Sequence, residues 1–443
     1  MAEKTLLLNS GKCSWGKCFA CGWGRLASPR LGIHELKKIV DDFFHENRNE
    51  KIGRLKIFAS GSFLDDAQFP KAIRKYVAVK CAALGIELVV ESRPEFITAG
   101  NLEDFKGAKL TVAIGLESGD DAVLKKYSKG FAAADYIKAA NLLHENSFRL
   151  RTYLMVGLPF GSADSLKKSV ELADKCGDEI VLINVFPHSL APLYELWIRT
   201  QTKFAAEPKS SAFRASGDWK PLDKEQFEEA IAPYKSNPKI ETDFNNFSFV
   251  PRFSREKQEM IKGASEKELL HPHFEVWQDY ICRFYETPKE KKTVLFLPCT
   301  FTKPYYNSKL HREIAKIAGN KKDIHLVVLS SPGVIPYEFA NKYPFNSYDW
   351  PEWEETPEIK KKYIEVTEKR IENYLRSHKY EKYFCFLKPS ETFVALEKAC
   401  NKLKIPLASC LKPETWEKIK GEKNPLLLAL DDLEESLNKE NRK

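Results

Sequence analysis

Cys13-Ser-Trp-Gly-Lys-Cys18-Phe-Ala-Cys21 places three thiols within nine residues, with Gly22-Trp23-Gly24 directly behind them. The run follows Thr5-Leu-Leu-Leu-Asn-Ser10, a short apolar strand candidate. Three soft sulfur ligands on one loop suit zinc or an iron–sulfur cluster. With no fourth cysteine nearby, a four-iron cluster held here keeps one iron open to a ligand, which points to catalysis. Two other readings compete. Cys18-x2-Cys21-x12-His34 imitates the first part of a zinc finger, but the next histidine is His45, beyond the usual spacing. His34 also opens an amphipathic helix carrying Ile33, Leu36, Ile39, Val40, Phe43 and Phe44 on one face. The last alternative is plain buried cysteine.

The chain has 443 residues, room for two or three domains with sizeable cores. Apolar content of 43% and aromatic content of 12% are those of a folded globular protein. No apolar run approaches the roughly 18 residues that span a bilayer, and strand-like sequence begins at once, so a cytoplasmic protein without membrane contact is expected. Seven of the ten cysteines are scattered singly, which fits a reducing compartment. A net charge of +8 permits a polyanionic partner such as RNA without requiring one.

Behind the cysteine loop, helix-like and strand-like segments alternate. Strands are expected at 54–59, 86–91, 110–115, 151–156 and 179–185, with helices near 33–47, 69–83, 95–105 and 120–127 among those between them. The alternation and the continuous apolar runs predict an α/β fold with a parallel sheet of six units, fewer than the eight of a closed barrel. Polar residues gather at the strand ends: Ser60-Gly61-Ser62, Glu91-Ser92-Arg93 and Glu117-Ser118. Ligands in parallel α/β folds sit at that edge, although any single such serine or aspartate is more often a helix cap.

These segments carry a resemblance. The opening loop resembles the cysteine motif of the radical S-adenosylmethionine (radical SAM) family. Ile114-Gly-Leu-Glu-Ser-Gly119 and Tyr153-Leu-Met-Val-Gly157-Leu-Pro159 resemble strands of its transfer-RNA-modifying branch. Phe58-Ala-Ser-Gly-Ser-Phe-Leu-Asp65 with Glu91-Ser-Arg-Pro-Glu-Phe-Ile97 resembles the radical SAM subunit of archaeosine synthase. Against the usual C-x3-C-x-aromatic-C, the first gap here holds four residues and Ala20 stands at the aromatic position. The resemblance implies a partial (β/α)6 radical SAM barrel over 1–205, with a [4Fe-4S] cluster on Cys13, Cys18 and Cys21 and SAM on its open iron. It further implies that Gly61 and Ser62 admit the methionine end of SAM and that Arg93 pairs its carboxylate. Glu91, Glu117 and Ser118 would accept from its amino and hydroxyl groups, with Met155 to Gly157 against adenine.

Residues 206–270 read as an extension and connector. It contains the loop-like Pro208-Lys-Ser-Ser211 and Ser216-Gly-Asp-Trp-Lys-Pro221, an aromatic run through Phe244, Phe247 and Phe249, and a charged helix at 253–270. The aromatic run reads as a cover for the sheet, with RNA stacking as the alternative. A smaller parallel α/β domain over 271–443 follows, with strands at 293–297, 324–329 and 383–387 and helices near 307–318, 357–377 and 391–403. Cys299, Lys303, Tyr305, Ser308 and His311 follow its first strand, and Ser331 its second. Ser308 and His311 lie one helical turn apart and are placed to face one ligand. Cys299 reads as a nucleophile with His311 as base, or as a buried strand-end thiol.

Pro298-Cys-Thr-Phe-Thr-Lys303-Pro-Tyr305-Tyr-Asn-Ser308-Lys-Leu-His311 resembles the core domain of archaeosine synthase. Ser331-Pro-Gly-Val-Ile-Pro336 and Tyr348-Asp349 continue the likeness. In that family the domain attaches lysine to the nitrile of 7-cyano-7-deazaguanine in tRNA, and the radical SAM partner breaks a carbon–nitrogen bond of the adduct. Both halves therefore imply a radical SAM lyase acting on tRNA, with an electron donor and a separate lysine-transferring archaeosine synthase subunit as partners. Another radical SAM tRNA modification (methylthio or acyl transfer) and a zinc-stabilised RNA-binding protein are the rival readings.

Overall fold

A computed structural model describes residues 2–26, 28–200, 219–319 and 321–439. The chain divides into two compact units, one reaching residue 249 and the other beginning at Val250. The stretch 208–211, the first part (216–218) of the loop expected at 216–221, and the expected boundary at 205 lie outside the described residues.

The first unit is a seven-stranded parallel sheet whose spatial order is its sequence order. Its strands are β1 (Ala2–Leu7), β2 (Ile52–Phe58), β3 (Glu87–Glu91), β4 (Leu110–Glu117), β5 (Arg149–Val156), β6 (Glu179–Asn184) and β7 (Ile240–Asp243). The six expected strands are present and β7 adds a seventh; among the described residues it does not pair back to β1, so the barrel stays open. Helices Ile33–Glu46, Lys71–Ala83, Ala133–Glu145 and Ala163–Cys176 are crossovers between strands. Leu55, Ile57, Leu88, Val90, Val112 and Ile114 share one core with Leu36 and Val77 of those helices. Each such fully buried aliphatic side chain contributes about 1.5–3 kcal/mol.

Several residues that alternate with the core ones are charged, Arg54, Glu87, Arg151 and Glu179 among them, because successive side chains leave a strand on opposite faces. Arg54 donates to Glu179 at 2.6 Å and to Glu87 at 3.1 Å, and Arg151 donates to Glu241 at 2.6 Å. The face turned away from the helices is therefore ion-paired low on the strands. The expected helix at 95–105 is broken into Pro94–Phe96, Ala99–Leu102 and Glu103–Phe105. The aromatic run before residue 250 is packing: Phe244 and Phe247 lie on Phe227 at 5.5 and 5.6 Å, and Phe249 lies 6.1 Å from Phe186.

In the second unit the charged helix expected at 253–270 does not form. Residues Ile261–Lys262 make a short strand, β8, and Gly263 (φ +137) turns the chain into a conformation that no helix contains. The main sheet holds β9 (Thr293–Pro298), β10 (Ile324–Ser330) and β11 (Gly333–Pro336), while β12 (Tyr348–Asp349) pairs with β8. With β13 (Lys382–Cys385) and β14 (Leu407–Ser409), the order is β11-β10-β9-β13-β14. The sheet is mixed, not wholly parallel: β10 and β11 form an antiparallel hairpin around Ser331-Pro332. Gly333 permits it with φ +110, and a Cβ there would meet the Gln278 side chain at 2.6 Å. Helices Lys309–Ala318, Pro357–Ser377 and Glu391–Leu403 stand where expected, capped by Ser308, Thr356 and Ser390.

Candidate functional site

The cysteine loop leaves β1 and is tied down on three sides. Ser14 hydrogen-bonds Asp65, the Trp15 indole donates to Ser128 O at 2.7 Å, and Phe19 N donates to Tyr127 O at 2.8 Å. Phe19 and Ala20 are buried with Tyr127, Leu158, Val185 and Leu193. Ala20 and its neighbours thus anchor the loop from beneath. The three thiols remain half-buried. Gly24 lies between them: its N–H points at Cys21 Sγ (3.5 Å), and a Cβ would sit 3.3 Å from Cys13 Cβ. Burial pushes the Cys18 thiol up and Cys21 and Glu117 add to it, while Lys129 and Arg93 pull it down.

As the side chains stand, no three His, Cys, Asp or Glu among the described residues already enclose an ion. The donor set nonetheless fits a cluster: three soft ligands on one anchored loop, with a backbone N–H directed at sulfur. The surroundings fit a zwitterionic ligand, since two buried polar atoms beside Cys18 have no partner, Arg93 Nη2 and Glu117 Oε2.

Glu117 closes β4 at a register shift against β5, in the left-handed region with φ 66. A non-glycine residue there costs about 1–2 kcal/mol, the kind of strain that clusters at functional sites. Its other oxygen accepts from Lys129 Nζ at 2.7 Å, and the two side chains are only 11% and 9% exposed. Burial, the largest influence on Lys129, lowers its pKa, but Glu117 and Cys18 outweigh it and the ammonium is held above its usual range. Burial, helped by Glu117, pushes the Glu91 carboxyl up to about 7 against a backbone bond from Ala59 and the pull of Lys129. The Arg93 guanidinium is clamped between the rings of Trp15 (5.2 Å) and Phe131 (5.3 Å) and pairs with Glu95. Arg93, Glu91 and Glu117 therefore converge on one strand-end region beside Cys18.

The remaining expected residues there are engaged within the fold. Ser62 Oγ accepts from Arg93 N at 3.1 Å, and Ser62 N donates to Gln68, whose amide also reaches Ser10 O. Gln68 occupies the space beside Gly61, where a Cβ would lie 2.0 Å from its oxygen. Ser118 Oγ meets Ser169 Oγ at 3.2 Å and so faces a helix. Met155 Sδ accepts from Tyr127 OH at 3.4 Å, while Gly157 is covered by Leu222 and its carbonyl accepts from the Trp219 indole. Lys129, Trp15 and Gln68 are the residues that sequence reasoning missed. Lys129 follows Lys125 and Lys126, both exposed, and nothing in the sequence separates the buried one from them.

In the second unit, Cys299 is exposed at the end of β9 rather than buried. Lys303 Nζ lies 4.0 Å from the centre of the Tyr348 ring. Burial lowers the Lys303 pKa, opposed by Cys299 and Asp349. Behind it, Tyr305 OH meets Tyr348 OH at 2.5 Å, and Tyr348 donates to Ser330 Oγ at 2.6 Å. Cys299, Lys303, Tyr305 and Asp349 thus gather around Tyr348, which the sequence marks only as a neighbour of Asp349. His311 and Ser308 do not join them. Ser308 Oγ accepts from His311 N to cap the helix, and the His311 ring is stacked between Tyr305 and Tyr337. His311 Nε2 donates to Pro298 O at 2.9 Å, and burial lowers its pKa to about 4, so it is a neutral core histidine. The Ser331 hydroxyl is buried without a partner, and its carbonyl accepts from Arg370 at 2.7 Å.

Residues 12–173 match the radical SAM superfamily, and residues 274–420 match a domain of unknown function, DUF5591. An uncharacterized protein of Methanocaldococcus jannaschii is 30% identical over 189 residues, 39% of this chain and 51% of that protein. Archaeosine synthase subunit beta of Thermococcus kodakarensis is 31% identical over 155 residues, 32% of this chain and 48% of its own length. Archaeosine synthase subunit alpha of Thermoplasma acidophilum is 29% identical over 139 residues, 30% of this chain and 26% of its own. The chain spans about half the length of the first two relatives and about a quarter of the third. A radical SAM domain works with a [4Fe-4S] cluster and S-adenosylmethionine. This chain joins a radical SAM domain to a DUF5591 domain.

Proposed function

We propose that this chain is a tRNA-modifying enzyme carrying out the lyase step of archaeosine formation, cleaving a carbon–nitrogen bond in the lysine adduct of 7-cyano-7-deazaguanine. The observation that carries this is that one chain is similar to both archaeosine synthase subunits, alpha and beta. Cys13, Cys18 and Cys21 hold the cluster, in a cytoplasm that keeps thiols reduced. When bound, cluster and SAM would supply the radical chemistry that abstracts a hydrogen from the lysine portion.

The chain's own residues bind and orient. Arg93 Nη2, held by Trp15 and Phe131, takes the SAM carboxylate. Glu117 Oε2 accepts from an amino or hydroxyl hydrogen while Lys129 Nζ holds its other oxygen. Glu91, with its carboxyl raised to about 7, accepts or donates near neutral pH. In the second domain, Lys303, Tyr348 and Asp349 bind the modified base, and a separate lysine-transferring subunit supplies the adduct.

The test is anaerobic incubation of the cluster-loaded, reduced protein with SAM and tRNA carrying the lysine adduct. Archaeosine and 5′-deoxyadenosine should appear together. Formation of 5′-deoxyadenosine with the adduct unchanged would refute the substrate.

A further inference from the structure

The loop that joins β9 to the helix Lys309–Ala318 carries two aromatic side chains that the fold leaves in water. Phe301 is 84% exposed and Tyr306 44% exposed. The loop that presents them is nevertheless fixed. Tyr305 and Ser308 are buried, and Tyr305 OH meets Tyr348 OH. Lys303 Nζ donates to Thr300 O at 3.3 Å while it lies over the Tyr348 ring. No acidic residue occurs from Cys299 to Arg312. Lys309 and Arg312 are exposed, one helical turn apart, and neither is in a salt bridge among the described residues. The next acid, Glu313, is held by Lys316 at 2.8 Å. We propose that this loop and the first turn of the helix are a docking surface for an unpaired RNA segment. Phe301 and Tyr306 stack on nucleobases that flank the target base, and Lys309 and Arg312 hold backbone phosphates. The inference rests on reading tRNA as the substrate.

Two features favour RNA over a protein partner here. Every base offers a flat π-face to an exposed ring, and basic side chains set among the aromatics follow the backbone. A protein interface is built instead around a contiguous apolar core depleted in charge. On this loop exposed Thr302 and Asn307 adjoin the rings, and the nearest free charges are both positive. The buried anchors at Tyr305 and Ser308 hold the backbone in place, so little ordering is needed when a strand docks. The surface shares its strand end with Cys299 and Lys303, which sets flanking nucleotides beside the residues that receive the modified base. Trp353 is also 80% exposed, but it stands on another loop between exposed Glu352 and Glu354, which repel phosphate, and it is no part of this surface.

The test uses the full chain and tRNA carrying the lysine adduct, with affinity read by fluorescence anisotropy over a range of salt. Phe301→Ala with Tyr306→Ala should weaken binding roughly thirtyfold without changing its salt dependence, and Phe301→Trp with Tyr306→Trp should restore it. Lys309→Gln with Arg312→Gln should weaken binding and lower the slope of log affinity against log salt by about 1.4, two phosphates at about 0.7 each. The thermal unfolding midpoint should stay level in all three variants, because substitutions at exposed positions barely alter stability. An unpaired RNA oligonucleotide should compete better than a duplex of the same length. Equal affinity of the ring-less and wild-type chains, or a duplex that competes as well as the unpaired strand, overturns the surface alone. Wild-type protein that binds no tRNA overturns the surface and the tRNA reading together. Ring-dependent binding without archaeosine formation counts against the lyase reaction and supports the surface.

Discussion

Replacing Lys129 by methionine tests the electrostatics of the strand-end region beside Cys18 most directly. The ammonium pairs with Glu117 at 2.7 Å, and both side chains are about nine-tenths covered. Methionine fills much of the same volume, so the loss is one of charge. Stranding a buried partner of this kind costs about 3–5 kcal/mol. Hydrogen exchange of the β4 amides reads this locally, which suits a chain of two units. Protection should fall about a hundred- to a thousand-fold at pH 7 after correction for intrinsic rates. Adding Glu117→Gln should recover most of it. Protection unchanged within about twofold at pH 7 would refute the reasoning.

Three further outcomes follow from the same geometry. Glu91, whose carboxyl is raised to about 7, stabilises the fold as the acid below the ordinary carboxylate range. That contribution is lost as pH rises from about 4.5 through 7, so Glu91→Gln should flatten a fall in stability of the order of 1–3 kcal/mol; parallel pH–stability curves would contradict it. Cys299, exposed, should alkylate at least tenfold faster than Cys385, Cys400 and Cys410, whose buried thiols are pushed up to about 12. Peptide mapping by mass spectrometry decides this, and equal labelling would count against the placement of Cys299. Gly61→Ala should evict the Gln68 amide that bridges Ser62 and Ser10, at a cost of about 1–3 kcal/mol visible in thermal unfolding. An unchanged midpoint would refute that role.

The sheet of the first unit was legible because its strands are continuous apolar runs separated by amphipathic helices, a pattern with few solutions. β7 was not, since Ile240–Asp243 carries one aliphatic residue in four and pairs only through the ladder that β6 offers it. The helix expected at 253–270 failed because charge density suggested a solvated face while Gly263 and the pairing of Ile261 with Tyr348 were nonlocal facts. At the site, strand-end polarity located Arg93, Glu91 and Glu117 correctly as neighbours. It could not say that Ser62 and Ser118 spend their hydroxyls inside the fold, or that Lys129 alone among nearby lysines points inward. In the second unit, one helical turn between Ser308 and His311 suggested a shared ligand. The cap takes the serine and the aromatic stack takes the histidine, because helix capping acts on the backbone of the same residue that the periodicity had put on the ligand's side.

The anchors of the cysteine loop also set an order of events during synthesis. Trp15 and Phe19 are pinned by Ser128 and Tyr127, and Leu193 N donates to Phe19 O. Cys21 emerges long before any of those partners exists. At about 5–20 residues per second the ribosome needs roughly ten seconds or more to reach Leu193. Throughout that interval the three thiols belong to an unshaped segment, open to oxidation or to whichever soft metal ion arrives first. The three thiols therefore become one shaped set only after the first unit has folded.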